Sequence, residues 1–269
     1  MGRRCVARTT ATTVAALALA ASCGSWAADA AVPRQVGSIH YTTTAPGAPT
    51  GTVVDWRFQN PENPKLKPHT AIRMVVHSPV GGLIDTTAPP QCHASDAQLM
   101  VQGPPACPKA TQVGSGLAVS DTGGGGPFPR YSEATITNFN NQDEVIGVGE
   151  VKAIPLLKPV DRTKINGRTE TTDFPLFPGA PPPDPYTPFK SLHVVFPKYV
   201  RNGRPYMRTP RRCPAVRYWT MTTEFTYADG VKQVVVSRSP CKPAPTNRPH
   251  RGHGRGRRPA LHDEGDRDD

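Results

Sequence analysis

A run of cationic side chains around Cys213 is the most suggestive chemical feature of the sequence. Lys198, Arg201, Arg204, Arg208, Arg211, Arg212 and Arg217 fall in one stretch without an acidic residue, and Tyr199 and Tyr206 are interleaved with them. Clustered cations concentrate polyanions, and aromatic faces between them let flat groups stack. Lys198, Arg201, Arg204, Arg208, Arg211 and Arg212 are therefore the candidate ligand contacts, with an anionic polymer as partner. A solvated basic loop would carry the same residues, so the reading requires a surface on which they converge.

Other spacings approach catalytic motifs and stop short. Asp121-Thr122-Gly123 spells the tripeptide that bears the catalytic carboxylate of aspartic proteases, but no second Asp-Thr-Gly or Asp-Ser-Gly supplies the partner acid. Gly123 to Gly126 lack both a P-loop lysine and the spacing of a dinucleotide loop. Ser115 has glycine at 114 and 116, one residue too close on each side for a nucleophile elbow. The eight histidines are scattered, with His40, His69, His77, His93 and His193 standing singly and His250, His253 and His262 near the C-terminus, so no metal site is expected. No cofactor is expected either. A rival reading makes the protein an extracellular hydrolase using carboxylates such as Asp55, Glu150 and Glu224. It requires a fold that brings two of them to within about 5 to 10 Å.

The N-terminus bears on which partners the chain meets. Arg3, Arg4 and Arg8 precede an apolar stretch from Val14 to Ala21, and small residues follow at Ser22, Ala27, Ala28 and Ala30. That order is an export signal, and the apolar stretch is too short to span a bilayer. Ala28-Asp29-Ala30 suits an ordinary signal peptidase, whereas Ala20-Ala21-Ser22-Cys23 resembles a lipobox that would place a lipid on Cys23. Residues 1–30 read as signal peptide, 31–241 as the mature domain and 242–269 as a disordered tail, first Arg-rich and then acidic. With Arg3, Arg4, Arg8 and Asp29 removed, the formal net charge falls from +11 to +9. The expected location is extracellular, or the outer face of the cytoplasmic membrane if Cys23 is lipidated. An exported protein seldom has nucleic acid as its main partner. The basic segment is accordingly expected to meet acidic polymers of the cell envelope, and nucleic acid is not expected.

Cys5 and Cys23 leave with the leader, and Cys92, Cys107, Cys213 and Cys241 remain. An even number in an exported chain reads as disulfides. Pairing Cys92 with Cys107 and Cys213 with Cys241 is favoured, because each pair lies within one local segment and closes a modest loop.

The elements that must position these groups are strands. Val54, Trp56 and Phe58 alternate with Val53, Asp55 and Arg57; Ile72, Met74 and Val76 with Arg73 and His77; and Leu192, Val194 and Phe196 oppose His193. From Val216 to Tyr227, Trp219, Met221, Phe225 and Tyr227 oppose Tyr218, Thr220, Thr222, Glu224 and Thr226. This assigns Trp56 and Trp219 to the core. Asp229-Gly230 then marks a hairpin into Val231 to Val236. With a simple two-residue turn, Cys241 would face Tyr218, so a Cys213 disulfide needs a bend near Pro214. Weaker strands are expected at 36–42, 133–139 and 145–153, with no amphipathic helix. The stretch from Pro155 to Pro188, with seven prolines from Pro175 onward, reads as a long extended surface loop. The expected fold is all-β: an antiparallel β-sandwich, or a partly open barrel.

The order Pro90-Gln91-Cys92, Cys107-Pro108, Val113-Gly114-Ser115-Gly116, Cys213-Pro214, Trp219, Phe225, Asp229-Gly230 and Cys241 resembles a family of secreted actinobacterial proteins. Their framework reads PxC, CP, VGxG, CP, W, DG, C, and the likeness covers roughly residues 50 to 241. It implies a disulfide-stapled extracytoplasmic β domain and supports the same cysteine pairing. It carries over no activity and no site. The sequence reading is thus a secreted or envelope-associated binding or structural module.

Overall fold

The alternating segments fold as strands of one large sheet. The computed structural model describes residues 32–124 and 128–242; the expected signal peptide with Cys23, and the expected tail apart from Lys242, lie outside them. The described residues open with β1 (Gln35–Tyr41), β2 (Pro49–Thr50), β3 (Thr52–Phe58), β4 (Ala71–His77) and β5 (Leu83–Ile84). A short helix, α1 (Asp96–Gln102), precedes β6 (Gln112–Asp121), β7 (Tyr131–Asn141), β8 (Glu144–Val151), β9 (Val160–Asn166) and β10 (Thr169–Asp173). Last come β11 (Phe189–Phe196), the short β12 (Val200–Arg201), β13 (Arg204–Pro205) and β14 (Met207–Arg208), and the long pair β15 (Tyr218–Tyr227) and β16 (Lys232–Pro240).

Eleven of these strands form an antiparallel sheet in the order β1-β3-β11-β6-β7-β8-β9-β10-β4-β15-β16. Its two edges, β1 and β16, come together without a backbone ladder. Side chains of β16 serve instead: Ser237 Oγ accepts from the Ile39 N–H at 3.0 Å and Ser239 Oγ from the Tyr41 N–H at 2.9 Å. Gln233 Oε1 accepts from the Arg34 N–H at 2.8 Å. An open edge would leave these amides unpaired and available to another chain; here the sheet nearly closes into a barrel. Of the two architectures expected from sequence, the partly open barrel is the one formed.

The inward residues of the regular strands are those the alternation marked. Trp56 and Trp219 are each 1% exposed, and Trp56 meets the Phe225 ring edge-on with centroids 5.0 Å apart. Tyr41 and Trp219 pack the same way at 5.7 Å. This aromatic cluster fills the side where β15, β16, β1 and β3 meet, an arrangement in which edge-to-face rings add to the burial of large apolar surfaces. At one end of the barrel, β14 pairs with both β2 and β5 as a small sheet. Beneath it Tyr206 and Met207 pack against Val113.

Both expected disulfides are present, with Cα atoms 5.3 Å apart for Cys92–Cys107 and 5.5 Å for Cys213–Cys241. Tyr218 faces Pro240, and a turn from Pro214 to Arg217, closed by the Arg217 N–H on the Pro214 carbonyl, brings Cys213 back to Cys241. This is the bend that the hairpin register required. Thr226 faces Lys232, so the turn between β15 and β16 is longer than two residues, and Gly230 supplies its left-handed φ of 83°.

Two expectations need correction. The segment 155–188 is not one loop, because it contains the β9–β10 hairpin. Its remainder folds over the end of the barrel remote from β14, where Asp184 accepts from the Thr70 N–H and Oγ1 at 3.1 and 2.8 Å. Lys67, 1% exposed, reaches the same segment through Asp184 at 3.4 Å and the Tyr186 carbonyl. The second correction is α1, which was not expected. Ser95 and Gln98 form a reciprocal capping box at its start, and Leu99 buries itself against Cys92, Cys107, Phe139, Ile146 and Val148 on the outer face of the sheet.

Candidate functional site

The interior of the barrel is only partly filled. Beside the aromatic cluster run two adjoining cavities of about 120 and 330 Å³, which share Ile136, Asp161, Phe174 and Phe189 in their walls. The larger lies under the proline-rich segment, with Phe177 and Pro178 in its lining, and the smaller lies under the β14 end. Most of the walls are apolar, and the exceptions fall in a pattern that strand register explains.

Register pairs Asn138 of β7 with Gly147 of β8, and Gly147 with Asp161 of β9, so the three form one row across the sheet. Gly147 has no side chain there because the Asp161 carboxylate occupies the space a Cβ would need. Thr163 and Ile165 follow Asp161 along β9 with the same parity. Glu170 of β10 faces Ile165, and Thr172 faces Thr163, their hydroxyls 2.7 Å apart. The inward face of this hairpin is therefore Asp161, Thr163, Ile165, Glu170 and Thr172.

Burial without a compensating charge or hydrogen bond pushes the Asp161 carboxyl up to about 6. Glu170 accepts from Ser78 Oγ at 3.3 Å, yet burial still raises it to about 7. Tyr206, 0% exposed, has no partner for its hydroxyl, and Asn138, 6% exposed, has none for its Nδ2. Both line the smaller cavity. Ser132, in the wall of the larger one, has an unpartnered Oγ as well. Buried polar atoms are almost always satisfied within a folded protein, so three orphans on residues that wall one cavity system are unusual.

The basic residues singled out from sequence are divided by the fold. Lys198 and Arg201 are exposed at and before the β12–β13 hairpin, and Arg208 is partly buried on β14. Arg204 donates to Asp85 Oδ2 at 2.8 Å and to Thr87, which neutralises much of its charge. Arg211 and Arg212, joined by Arg217, flank a shallow cleft with Cys213 and Pro214 in its wall and no acidic residue in its lining. Tyr206 is not an aromatic platform between these cations; it caps the lumen.

The carboxylates of the hydrolase reading do not converge. Asp55 on β3, Glu150 on β8 and Glu224 on β15 occupy the second, sixth and tenth places of the eleven-strand order. Asp55 pairs with His193 and Glu224 with Lys232. The lumen acids are also far apart: Glu170 faces Ile165, four residues along β9 from Asp161. That corresponds to about 13 Å of strand, beyond the spacing of a glycosidase pair. Asp121 of the Asp-Thr-Gly tripeptide is held by Arg130 at 3.1 Å and by the Gly123 N–H at 3.0 Å. Among the described residues no group of three potential metal ligands comes together, and no helix is long and apolar enough to cross a membrane.

Sequence reasoning missed Asp161, Glu170 and Asn138 as site residues, although one signal was available. Asn166-Gly167 is a hairpin dipeptide, and the parity of Asp161, Thr163 and Ile165 before it matches that of Glu170 and Thr172 after it. Comparisons with family models, curated proteins and solved structures return no match.

Proposed function

We propose that this is an extracytoplasmic binding protein whose ligand site is the barrel lumen, and that it takes a small, largely apolar molecule. The observation that carries the reading is a largely apolar cavity system inside the barrel, in whose walls stand the acids Asp161 and Glu170 and three residues, Asn138, Tyr206 and Ser132, each with a buried polar atom that has no partner in the protein. Ligand sites combine apolar walls with a few placed polar groups in a few hundred Å³. Two disulfides, the leader sequence and the resemblance of the cysteine framework to secreted proteins all support a location outside the cytoplasm.

The test is uptake of a neutral environment-sensitive dye, N-phenyl-1-naphthylamine, by the purified protein. Saturable fluorescence enhancement is expected. It should be lost in Ile136→Trp, which fills both compartments, or in Ala134→Phe, which fills the larger, in whichever variant keeps the thermal transition. No uptake, or equal uptake by the folded variants, overturns the reading.

A second reading keeps the basic segment as a contact for acidic envelope polymers, favoured by the acid-free lining around Arg211, Arg212 and Arg217. Retention on an insoluble acidic polysaccharide should fade as salt rises and fall further in Arg211→Ala/Arg212→Ala. Retention insensitive to both removes this reading and leaves the lumen site untouched.

A further inference from the structure

We infer that the lumen selects for a basic amine: its ligand is an apolar molecule carrying one protonated amino group, with Asp161 as the counter-charge. The inference rests on the lumen being the ligand site. It goes further by assigning the charge of the ligand from the charge of the walls.

The chain as a whole is strongly basic, at +11, yet its lumen is acidic. Asp161 lines both compartments and Glu170 lines the smaller. Arg168 is the one basic residue in either lining, and it is exposed, with its guanidinium directed to the Ser78 carbonyl at 2.9 Å. An anionic ligand would thus meet two acids and no internal cation. A neutral ligand would leave the Asp161 carboxyl unpaired in an apolar wall, the costly arrangement for a buried charge. An ammonium group satisfies that carboxylate directly, and a charge-assisted hydrogen bond away from water is among the stronger polar contacts available.

Asn138 supplies the second, independent pointer. Asn138, whose Nδ2 has no partner, sits two register positions from Asp161 in the same row, across Gly147, over which the Asp161 carboxylate lies. A donor beside an acid in one row fits a ligand that presents an acceptor oxygen next to its amine. The amine would be held by Asp161 and the oxygen by Asn138. Tyr206 and Glu170 line the same compartment as Asn138, and Glu170 stands about four residues along the hairpin from Asp161, where a second polar group of a longer molecule would end.

The experiment is displacement of bound N-phenyl-1-naphthylamine from the whole purified mature protein by three probes with one apolar body: 4-phenylbutylamine, 4-phenylbutanol and 4-phenylbutanoate. The amine is expected to compete at least about tenfold better than the alcohol, and the carboxylate worst, the size of effect expected for one charged hydrogen bond. In Asp161→Asn the ratio of amine to alcohol competition, each referred to the dye affinity measured for that variant, should fall to about one. Equal competition by all three probes, or an amine preference that survives in Asp161→Asn, overturns the inference and leaves the lumen site standing. Failure of the dye itself to bind overturns both.

Discussion

Replacing Asp161 with asparagine should make the protein more stable, and by an amount that depends on pH in a definite direction. An aspartate in an unfolded chain titrates near about 4, whereas burial in the barrel lifts Asp161 to about 6. The folded state therefore holds a proton that the unfolded state has lost throughout the interval between those values. Because the folded-state value is the higher one, stability is fully present below the unfolded value and is lost as pH rises through the folded one. At about 1.4 kcal/mol for each pKa unit, the loss attributable to Asp161 is about 3 kcal/mol by pH 8 and less than about 1 kcal/mol at pH 4. Asparagine has nearly the same volume and never ionises. Urea unfolding of wild type and Asp161→Asn at both pH values measures the difference directly. The variant should gain about 2 to 3 kcal/mol over wild type at pH 8, and the gain should shrink to under about 1 kcal/mol at pH 4. A variant less stable than wild type at pH 8, or a gain that does not change with pH, would mean that the carboxylate is satisfied by a partner or by bulk water, and the unpaired acid in the lumen would be refuted.

Three other perturbations probe the frame that encloses the lumen. Cys213→Ser opens a loop of 28 residues and should cost about 3 to 4 kcal/mol; an unchanged thermal transition would show that the cross-link contributes nothing. Ser237→Ala removes the acceptor of the Ile39 amide at the seam, which should cost about 1 to 3 kcal/mol and speed exchange of that amide. Protection equal to wild type would mean that β1 and β16 find another way to pair. Lys67→Met strands Asp184 beneath the proline-rich segment, with Thr70 and the Tyr186 amide still donating to it. The expected cost is about 2 to 4 kcal/mol, with faster proteolysis between 175 and 188; wild-type proteolysis there would show that Lys67 does not anchor the segment.

What the sequence determined by itself was the part of the structure written in local pattern. Period-two alternation marked β3, β4, β11 and β15 and put Trp56 and Trp219 inside, because an inward face packed against a core must be apolar. The spacing of the cysteines within two local segments pointed to both disulfides. The seven residues of α1 are too few for a helical period to show, and its capping pair Ser95 and Gln98 became evident only in the structure. Closure of the barrel, and the site within it, depend on contacts between segments distant in the chain. Whether β1 meets β16 depends on hydroxyls about 200 residues away from the amides they satisfy, and no local pattern reports that. Asp161, Thr163, Glu170 and Thr172 made β9 and β10 read as loop, since a strand whose inward face is polar shows no hydrophobic alternation. The residues that hid those two strands are the ones that give the lumen its chemistry. Alternation records which face avoids water, and a binding cavity is the place inside a protein where a face need not.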